Sequence, residues 1–187
     1  FFVLYDFIKA QGLTDVLHLE SDCMLYLDLE ELLPLFAKLN TRLAAPFQSL
    51  KGCIPCFVFI KDAESLESLL NHMISEMRNF QGVKPHLCIN DMQTLASFYR
   101  KYGSNSLLPL PTLMPEYAQS YAKRRSSFVP DNATPLSFLS LYSKPFSEYL
   151  FDAAGLGIFI NGNDRKYSPN RGAGTVHARS LFDPHFF

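Results

Sequence analysis

The sequence predicts an α/β domain in which a mostly parallel sheet carries helices on both faces. Two short, largely apolar runs, at Val16–Leu19 and Cys56–Lys61, are bounded by polar residues, as is typical of strands buried in a sheet that is covered on both sides. After the second run, apolar residues recur every three or four positions, at Leu66, Leu69, Leu70, Met73, Ile74 and Met77. This spacing predicts an amphipathic helix, so that strands and helices alternate along the chain.

The composition is that of one globular domain. The chain has 187 residues, of which 48% are apolar and 19% charged, which is typical of a single folded domain over residues 1–187. Its 17 Lys and Arg residues are balanced by 18 Asp and Glu residues, whereas a nucleic-acid-binding protein would show a basic surplus. No run reaches the roughly 18 to 20 apolar residues of a membrane-spanning helix. We therefore expect neither nucleic-acid binding nor a transmembrane segment.

Capping residues and turn formers predict most of the remaining elements. Side chains suited to helix N-termini stand at Asp28, Asp62 and Asn90. Pro34 is expected to bend or restart the helix after Asp28 near its first turns, and Gly103 to end the helix after Asn90. A further helix is predicted around Phe2–Lys9, and Arg42–Pro46 is predicted to be a short strand ended by its proline.

The second half of the chain is less regular. Six prolines fall between residues 107 and 145, a density that excludes long helices and central strands. The aromatic residues of this region favour an ordered lid or an acceptor-side insertion over a linker. Ser147 is predicted to cap a further helix that includes Leu156, and residues 161–175 to form a Gly- and Asn-rich loop.

Four cysteines stand at positions 23, 53, 56 and 88. Cys53-Ile54-Pro55-Cys56 has the spacing of a thioredoxin-like redox pair, but such a pair follows a strand and opens a helix. The strand-like Phe57–Ile60 follows here instead, so we predict free thiols on the approach to a strand. Thiols that stay free indicate a reducing compartment, and the cytoplasm is the expected location.

Two acids end the first predicted strand, which we expect to be central in the sheet. Glu20 and Asp22 flank Ser21, and hard oxygen ligands two residues apart at the carboxyl end of a strand suit Mg²⁺ or Mn²⁺ carrying a substrate phosphate. Open α/β sheets bind ligands at that end. The alternative interpretation is that these acids are turn residues or cap a helix. His18, on the same side of the strand, would complete the ligand set of a metal-dependent hydrolase, although a packed, hydrogen-bonded core histidine is the preferred interpretation.

The string DVLHLESDCMLYLDL, from Asp15 to Leu29, resembles the DxD region of A-type glycosyltransferases, with Glu20 in place of the usual first Asp. It is similar to a group of largely uncharacterised bacterial and algal proteins. Three later stretches are similar to the same group: Asn90-Asp91-Met92, Leu150–Gly157 and Thr175–Pro184.

The resemblance implies metal-dependent transfer of a sugar from a nucleotide-sugar donor to a glycan, lipid or protein acceptor. It implies that Glu20 and Asp22 hold Mn²⁺ or Mg²⁺ against the donor diphosphate, and that His177 is a candidate for a further metal ligand. Ser21 would hydrogen-bond the donor ribose or a metal-bound water.

Asp152 and Asp91 are the candidate catalytic carboxylates, acting as a base or positioning an acceptor hydroxyl. Each carboxylate also has a purely structural interpretation. Asp152 would suit the surface of a helix, and Asp91 would stabilise a helix N-terminus. Only 19 residues precede Glu20, whereas much of the nucleotide-binding half of an A-type transferase precedes its triplet. The chain is therefore expected to be a fragment truncated at both ends, and a non-catalytic binding or scaffold module stays open as an alternative.

Overall fold

The computed structural model describes residues 1–21, 25, 28–49, 52–81, 90–111, 146, 149 and 151. The helices in these ranges are α1 (Phe2–Gln11), α2 (Leu29–Lys38), α3 (Ala63–Gln81) and α4 (Asp91–Tyr102). The strands are β1 (Val16–Leu19), β2 (Leu43–Ser49), β3 (Gly52–Cys53), β4 (Phe57–Ile60) and β5 (Leu108–Leu110). None of the described helices combines the length and the apolar character needed to cross a membrane.

The strands form one mixed sheet in which antiparallel pairs predominate. β4 is antiparallel to β1 on one side and to β2 on the other, β3 is antiparallel to β2, and β5 is parallel to β2. The prediction of a mostly parallel sheet was wrong. An apolar run indicates that a strand is buried but does not indicate the direction of that strand. Only two residues separate β2 from β3, which suits a hairpin, whereas parallel neighbours need a long crossover connection.

β1 lies at the edge of the sheet in the part of the chain that the structure describes. Its recorded partner is β4, with Leu17 opposite Phe59 and Leu19 opposite Phe57. The expectation that β1 is central was therefore wrong for these residues. Val16 packs against the core on the α4 side and Leu17 against the core on the α2 side. Apolar residues on both faces are also typical of a central strand, so this pattern does not reveal that a strand lies at an edge.

Helices cover both faces of the sheet, as predicted, and β4 shows how. All four of its residues are buried. Val58 and Ile60 belong to the core that α1, α3 and α4 complete, whereas Phe57 and Phe59 belong to the core that α2 completes. On the α2 side Phe36 stacks on Phe59 with ring centroids 4.3 Å apart.

The helix boundaries follow the predicted caps. Three side chains each accept a backbone N–H of the first turn at 2.8–2.9 Å: Asp28 from Glu30, Asp62 from Ser65 and Asn90 from Gln93. Gly103 ends α4 with a positive φ of 76°. Pro34, however, does not restart α2, which runs through it without interruption, because Leu32 and Phe36 on either side are fully buried and hold the helix on the sheet.

β2 was predicted to end at Pro46 but continues beyond it to Ser49. The Pro46 carbonyl accepts the N–H of Ile54 at 2.8 Å, and a strand residue directs its N–H and C=O to the same side. An N–H group at position 46, which proline lacks, would therefore point toward the irregular chain between β3 and β4. Proline is tolerated inside strands next to such bulges.

The later part of the chain joins the fold through three described aromatic residues. Phe146 is fully buried, and Tyr149 and Phe151 pack against the core on the α2 side. The helix expected after Ser147 is not present at Tyr149 or Phe151, where the chain turns instead and the Tyr149 N–H donates to the Phe146 carbonyl at 3.0 Å. On a helix Phe146 and Tyr149 would share a face, but Phe151, five residues after Phe146, would point away from it, whereas all three rings pack on one core here. Ser147, most of the Pro-rich region and the Gly-rich loop lie outside the described residues.

Candidate functional site

The carboxyl ends of β1, β2 and β5 lie at one edge of the sheet. β1 and β2 are both antiparallel to β4, and β5 is parallel to β2, so these three strands run in one direction. The chain from Cys53 to Cys56, here called the junction segment, connects β3 to β4 at this edge. Several of the residues singled out in the sequence contact it or lie close to it.

The junction segment is a wide bulge in the strand that returns alongside β2. Between the Phe47–Cys53 pair and the Ala44–Phe59 pair, the returning strand has five residues where β2 has two. Extra residues of this kind bend a strand and leave backbone groups free to bond elsewhere. On the side of β4 that faces β1, the Cys56 carbonyl bonds to Glu20 and so continues the β1–β4 register by one residue.

Glu20 follows the carboxyl end of β1 and is fixed there by its backbone. Its N–H donates to the Cys56 carbonyl at 3.0 Å, while its side chain and that of Ser21 are exposed. Within the described ranges no basic side chain forms an ion pair with Glu20. The placement of Glu20 and Ser21 at the end of a strand is as predicted, and Asp22 lies outside the described residues.

The exposed oxygens of Glu20 and Ser21 fit the requirements of a hard divalent cation. Mg²⁺ and similar ions are commonly bound through one or two carboxylates together with substrate phosphates, without a complete protein cage. The described residues contain no group of three or more His, Cys, Asp and Glu side chains that would hold a metal unaided.

Asp91 lies near the same edge, at the first position of α4. Its carboxylate accepts the N–H of Met92 at 2.8 Å, and α4 packs on β3. Burial raises the pKa of the Cys53 thiol well above its usual range, and the nearby charges of Cys56 and Asp91 raise it further.

Phe151 brings the later part of the chain to this edge. The Cys56 thiol donates to the Phe151 carbonyl at 3.8 Å, and the Phe151 N–H donates to the Pro111 carbonyl, just after β5, at 3.0 Å. The Phe151 ring meets Phe57 edge-on at 5.1 Å. Asp152, the next residue in the chain, and His177 lie outside the described residues.

Cys53 and Cys56 are free thiols on the approach to a strand, as predicted. Their relative exposures are 0% and 8%. Cys53 belongs to the core on the α4 side of the sheet and Cys56 to the core on the α2 side. Since reactive cysteine pairs are partly exposed and have low pKa values, this pair does not have the character of a redox centre.

His18 belongs to neither core of the described residues. It is half-buried, and its ring meets Phe1 edge-on at 5.6 Å. The expectation of a hydrogen-bonded core histidine was wrong because β1 is an edge strand, so that the first residue of the chain, and not a buried layer, covers this side chain.

The sequence interpretation missed the role of Cys56 in joining two of the candidate segments. Its signal was present, since Pro55 interrupts an otherwise strand-like stretch and such a proline marks a bulge. The sequence does not show which segments form hydrogen bonds with Cys56, because its partners Glu20 and Phe151 are remote in sequence.

Comparison of the chain with protein-family models, with curated proteins and with solved structures found no match.

Proposed function

We propose that this chain takes part in metal-dependent transfer of a sugar from a nucleotide-sugar donor to an acceptor hydroxyl. One observation carries the proposal. Glu20 and Phe151 both bond to Cys56, and α4, which begins at Asp91, packs on β3, which ends at Cys53. Described residues of three stretches that resemble A-type glycosyltransferases therefore lie at or near the junction segment, although the stretches are far apart in sequence.

The chemistry assigns distinct tasks to these groups. In the transfer, the acceptor oxygen bonds to the anomeric carbon, the bond from that carbon to the diphosphate oxygen breaks, and the nucleoside diphosphate leaves with the electron pair. Asp152 or Asp91 would accept the proton of the acceptor hydroxyl or orient that hydroxyl. Glu20, Asp22 and the candidate His177 would hold Mn²⁺ or Mg²⁺, and Ser21 would bond to the donor ribose or a metal-bound water. The bound cation would stabilise charge that develops on the leaving diphosphate.

Calorimetry tests this proposal with UDP-glucose, UDP-N-acetylglucosamine and GDP-mannose, each with and without Mn²⁺. Carboxylates repel a diphosphate, so we expect donor binding only with metal, and tighter metal binding with donor, by the same factor. Glu20→Ala and Asp22→Ala should each abolish the metal-dependent binding. His18→Ala is the matched control on the same strand and should leave it within about twofold.

Two results would replace the proposal. If none of the nucleotide-sugars binds under either metal condition, the alternative of a non-catalytic binding or scaffold module takes its place. If His18→Ala removes Mn²⁺ binding as fully as Asp22→Ala does, the hydrolase with His18, Glu20 and Asp22 as ligands moves ahead.

A further inference from the structure

We propose that the last turn of α4, residues 99–102, is a pH-sensitive latch that covers His72 and opens when His72 becomes positively charged. His72 lies on α3 and is buried. Its ring meets the rings of Phe98 and Tyr102 edge-on, with centroids 5.5 and 5.7 Å away. Tyr102 is the last residue of α4, so the end of this helix is in direct contact with His72.

The hydrogen bonds of His72 suit a neutral ring and not a charged one. Its Nε2 is 2.7 Å from the hydroxyl of Ser97, which donates its own proton to the Thr94 carbonyl, so Nε2 carries the proton of the neutral ring. Nδ1 is buried without a hydrogen-bond partner among the described residues. A second proton would bind at Nδ1, where it finds no acceptor. Charging the ring in its buried position therefore costs free energy.

The charged groups around His72 direct the response to the last turn of α4. Burial is the largest influence and lowers the pKa of His72, Glu76 on α3 raises it, and Lys101 and Arg100 lower it. Both of these cations belong to the last turn of α4, next to Tyr102. A charged His72 is thus repelled by the turn that covers it, and an outward movement of that turn relieves the repulsion and admits water.

The opening is local because the rest of α4 is held by the core. Leu95 and Phe98 are buried in the core on the α4 side of the sheet, whereas Tyr102 is 46% exposed. Release of the last turn therefore uncovers little apolar surface, and helix ends open at a lower free energy than core segments do.

The direction of the pH dependence follows from the two forms. The open form takes up a proton with the ordinary histidine pKa of about 6.5, whereas the closed form resists it. The ratio of open to closed molecules should therefore rise by up to about tenfold for each pH unit below that value. At higher pH His72 is neutral in both forms, and the latch stays closed.

Hydrogen exchange of the Gly103 amide measures the latch, because this N–H donates to the Tyr99 carbonyl at 2.8 Å and closes the last turn. Protection factors remove the direct effect of pH on the exchange chemistry. In the wild type the protection of Gly103 should be lower than that of Leu95 and should fall at least about tenfold between pH 7.5 and pH 5. Equal protection of Gly103 and Leu95 would overturn the latch, since His72 would then become accessible only by global unfolding.

Two glutamine variants assign the effect to one histidine. His72→Gln keeps a donor toward Ser97 but does not titrate, so the protection of its Gly103 amide should change by less than about twofold over the same range. His18→Gln, on the distant strand β1, is the matched control and should behave as the wild type does. A wild-type protection that is independent of pH, or an equal fall in His72→Gln, would overturn the proposal.

An NMR titration of the His72 ring provides a test that leaves His72 in place. Tyr102→Ala removes the cover but keeps Phe98 and Ser97, so water should reach the ring and the midpoint of the His72 titration should rise toward about 6.5. A midpoint equal to that of the wild type would show that Tyr102 does not shield His72, and the latch would be overturned even if His72→Gln failed to fold.

Discussion

At the scale of single residues, His72 shows how a hydrogen-bond pattern determines the tautomer of a neutral histidine. This side chain lies between α3 and α4 with 3% exposure, and its Nε2 is 2.7 Å from the Ser97 hydroxyl. Ser97 donates its one hydroxyl proton to the Thr94 carbonyl at 3.0 Å, so Nε2 is the donor in the contact with His72. Nδ1 is then the unprotonated nitrogen, and it is buried without a partner among the described residues.

We expect this histidine to make the protein less stable as the pH falls below about 6.5, the ordinary histidine pKa. Burial lowers the pKa of His72, and Lys101 and Arg100 lower it further while Glu76 opposes them. The unfolded chain therefore binds the proton at a higher pH than the folded chain does, and protonation draws the equilibrium toward unfolding. Above the ordinary pKa the effect is absent.

Urea unfolding of the wild type and of His72→Gln at several pH values between 5 and 7.5 measures this effect. The glutamine amide can still donate to Ser97 but does not titrate, so the variant should show a smaller loss of unfolding free energy between pH 7 and pH 5. An equal loss in both proteins would show that His72 does not contribute.

The residues of the candidate site were predictable to different degrees. The positions of Glu20 and Ser21 after a strand and of Asp91 at the start of a helix were predictable, because their signals are local: acids after an apolar run and a cap before a helical period. The contact between Cys56 and Phe151 was not predictable, because it joins segments that are remote in sequence. Its acceptor is also a backbone carbonyl, which any residue could supply. His18 was misjudged for a related reason, since an apolar run does not reveal whether its strand lies at the edge of a sheet.

At the scale of elements, helix ends and strand pairing differ in how far local sequence determines them. In the described ranges all four helices form where they were predicted, and α2, α3 and α4 begin at their predicted caps, because apolar spacing and capping act within a few residues. The direction of each strand depends on its partners, and so the antiparallel pairing and the bulge beyond Cys53 were missed. Pro46 was misleading because a proline that would end a regular strand is accommodated beside that bulge.

Two glycines at helix C-termini allow a paired test of backbone strain. Gly12, after α1, has φ 61° and ψ 33°, whereas Gly103, after α4, has φ 76° and ψ −174°. A Cβ would meet no atom within 4 Å at either position, so the cost of a side chain is conformational. Gly12→Ala should cost about 1 kcal/mol, as is usual for a left-handed cap, and Gly103→Ala up to about 3 kcal/mol, because nearly all residues other than glycine avoid its region.

Thermal or urea unfolding of both alanine variants gives the comparison, and asparagine at each position provides the control. Asparagine tolerates the left-handed region, so Gly12→Asn should recover part of the loss at position 12. No such recovery is expected for Gly103→Asn. Equal costs for the two alanine variants would argue against the backbone conformations described for these two caps.

At the scale of the whole molecule, the sheet connects the two cores to the candidate site. The core formed with α1, α3 and α4 and the core formed with α2 share β2 and β4, and the site lies where these strands meet the end of β1. A ligand that bridges the groups at this edge should therefore stabilise the whole fold and not only a loop.

We expect Mn²⁺ and a nucleotide-sugar together to raise the melting temperature, while either by itself has a much smaller effect. Ligand at 100 times its Kd stabilises a protein by about 2.7 kcal/mol, which for a domain of this size corresponds to roughly 5–10 °C. Glu20→Ala should abolish the joint increase. Differential scanning fluorimetry with EDTA as a control measures it, and an increase with metal alone that equals the joint one would contradict the shared site.

The bulged hairpin of β2, β3 and β4 also has a consequence for the order of folding. Its strands are neighbours in the sequence, so their contacts close short loops, whereas pairing β1 with β4 and β5 with β2 closes long ones. Short loops cost less entropy and tend to form early. The hairpin is thus expected to form the nucleus, and the bond between Glu20 and Cys56 arises only when β1 arrives. An intermediate that lacks β1 would retain most of the α2 core and still have no site.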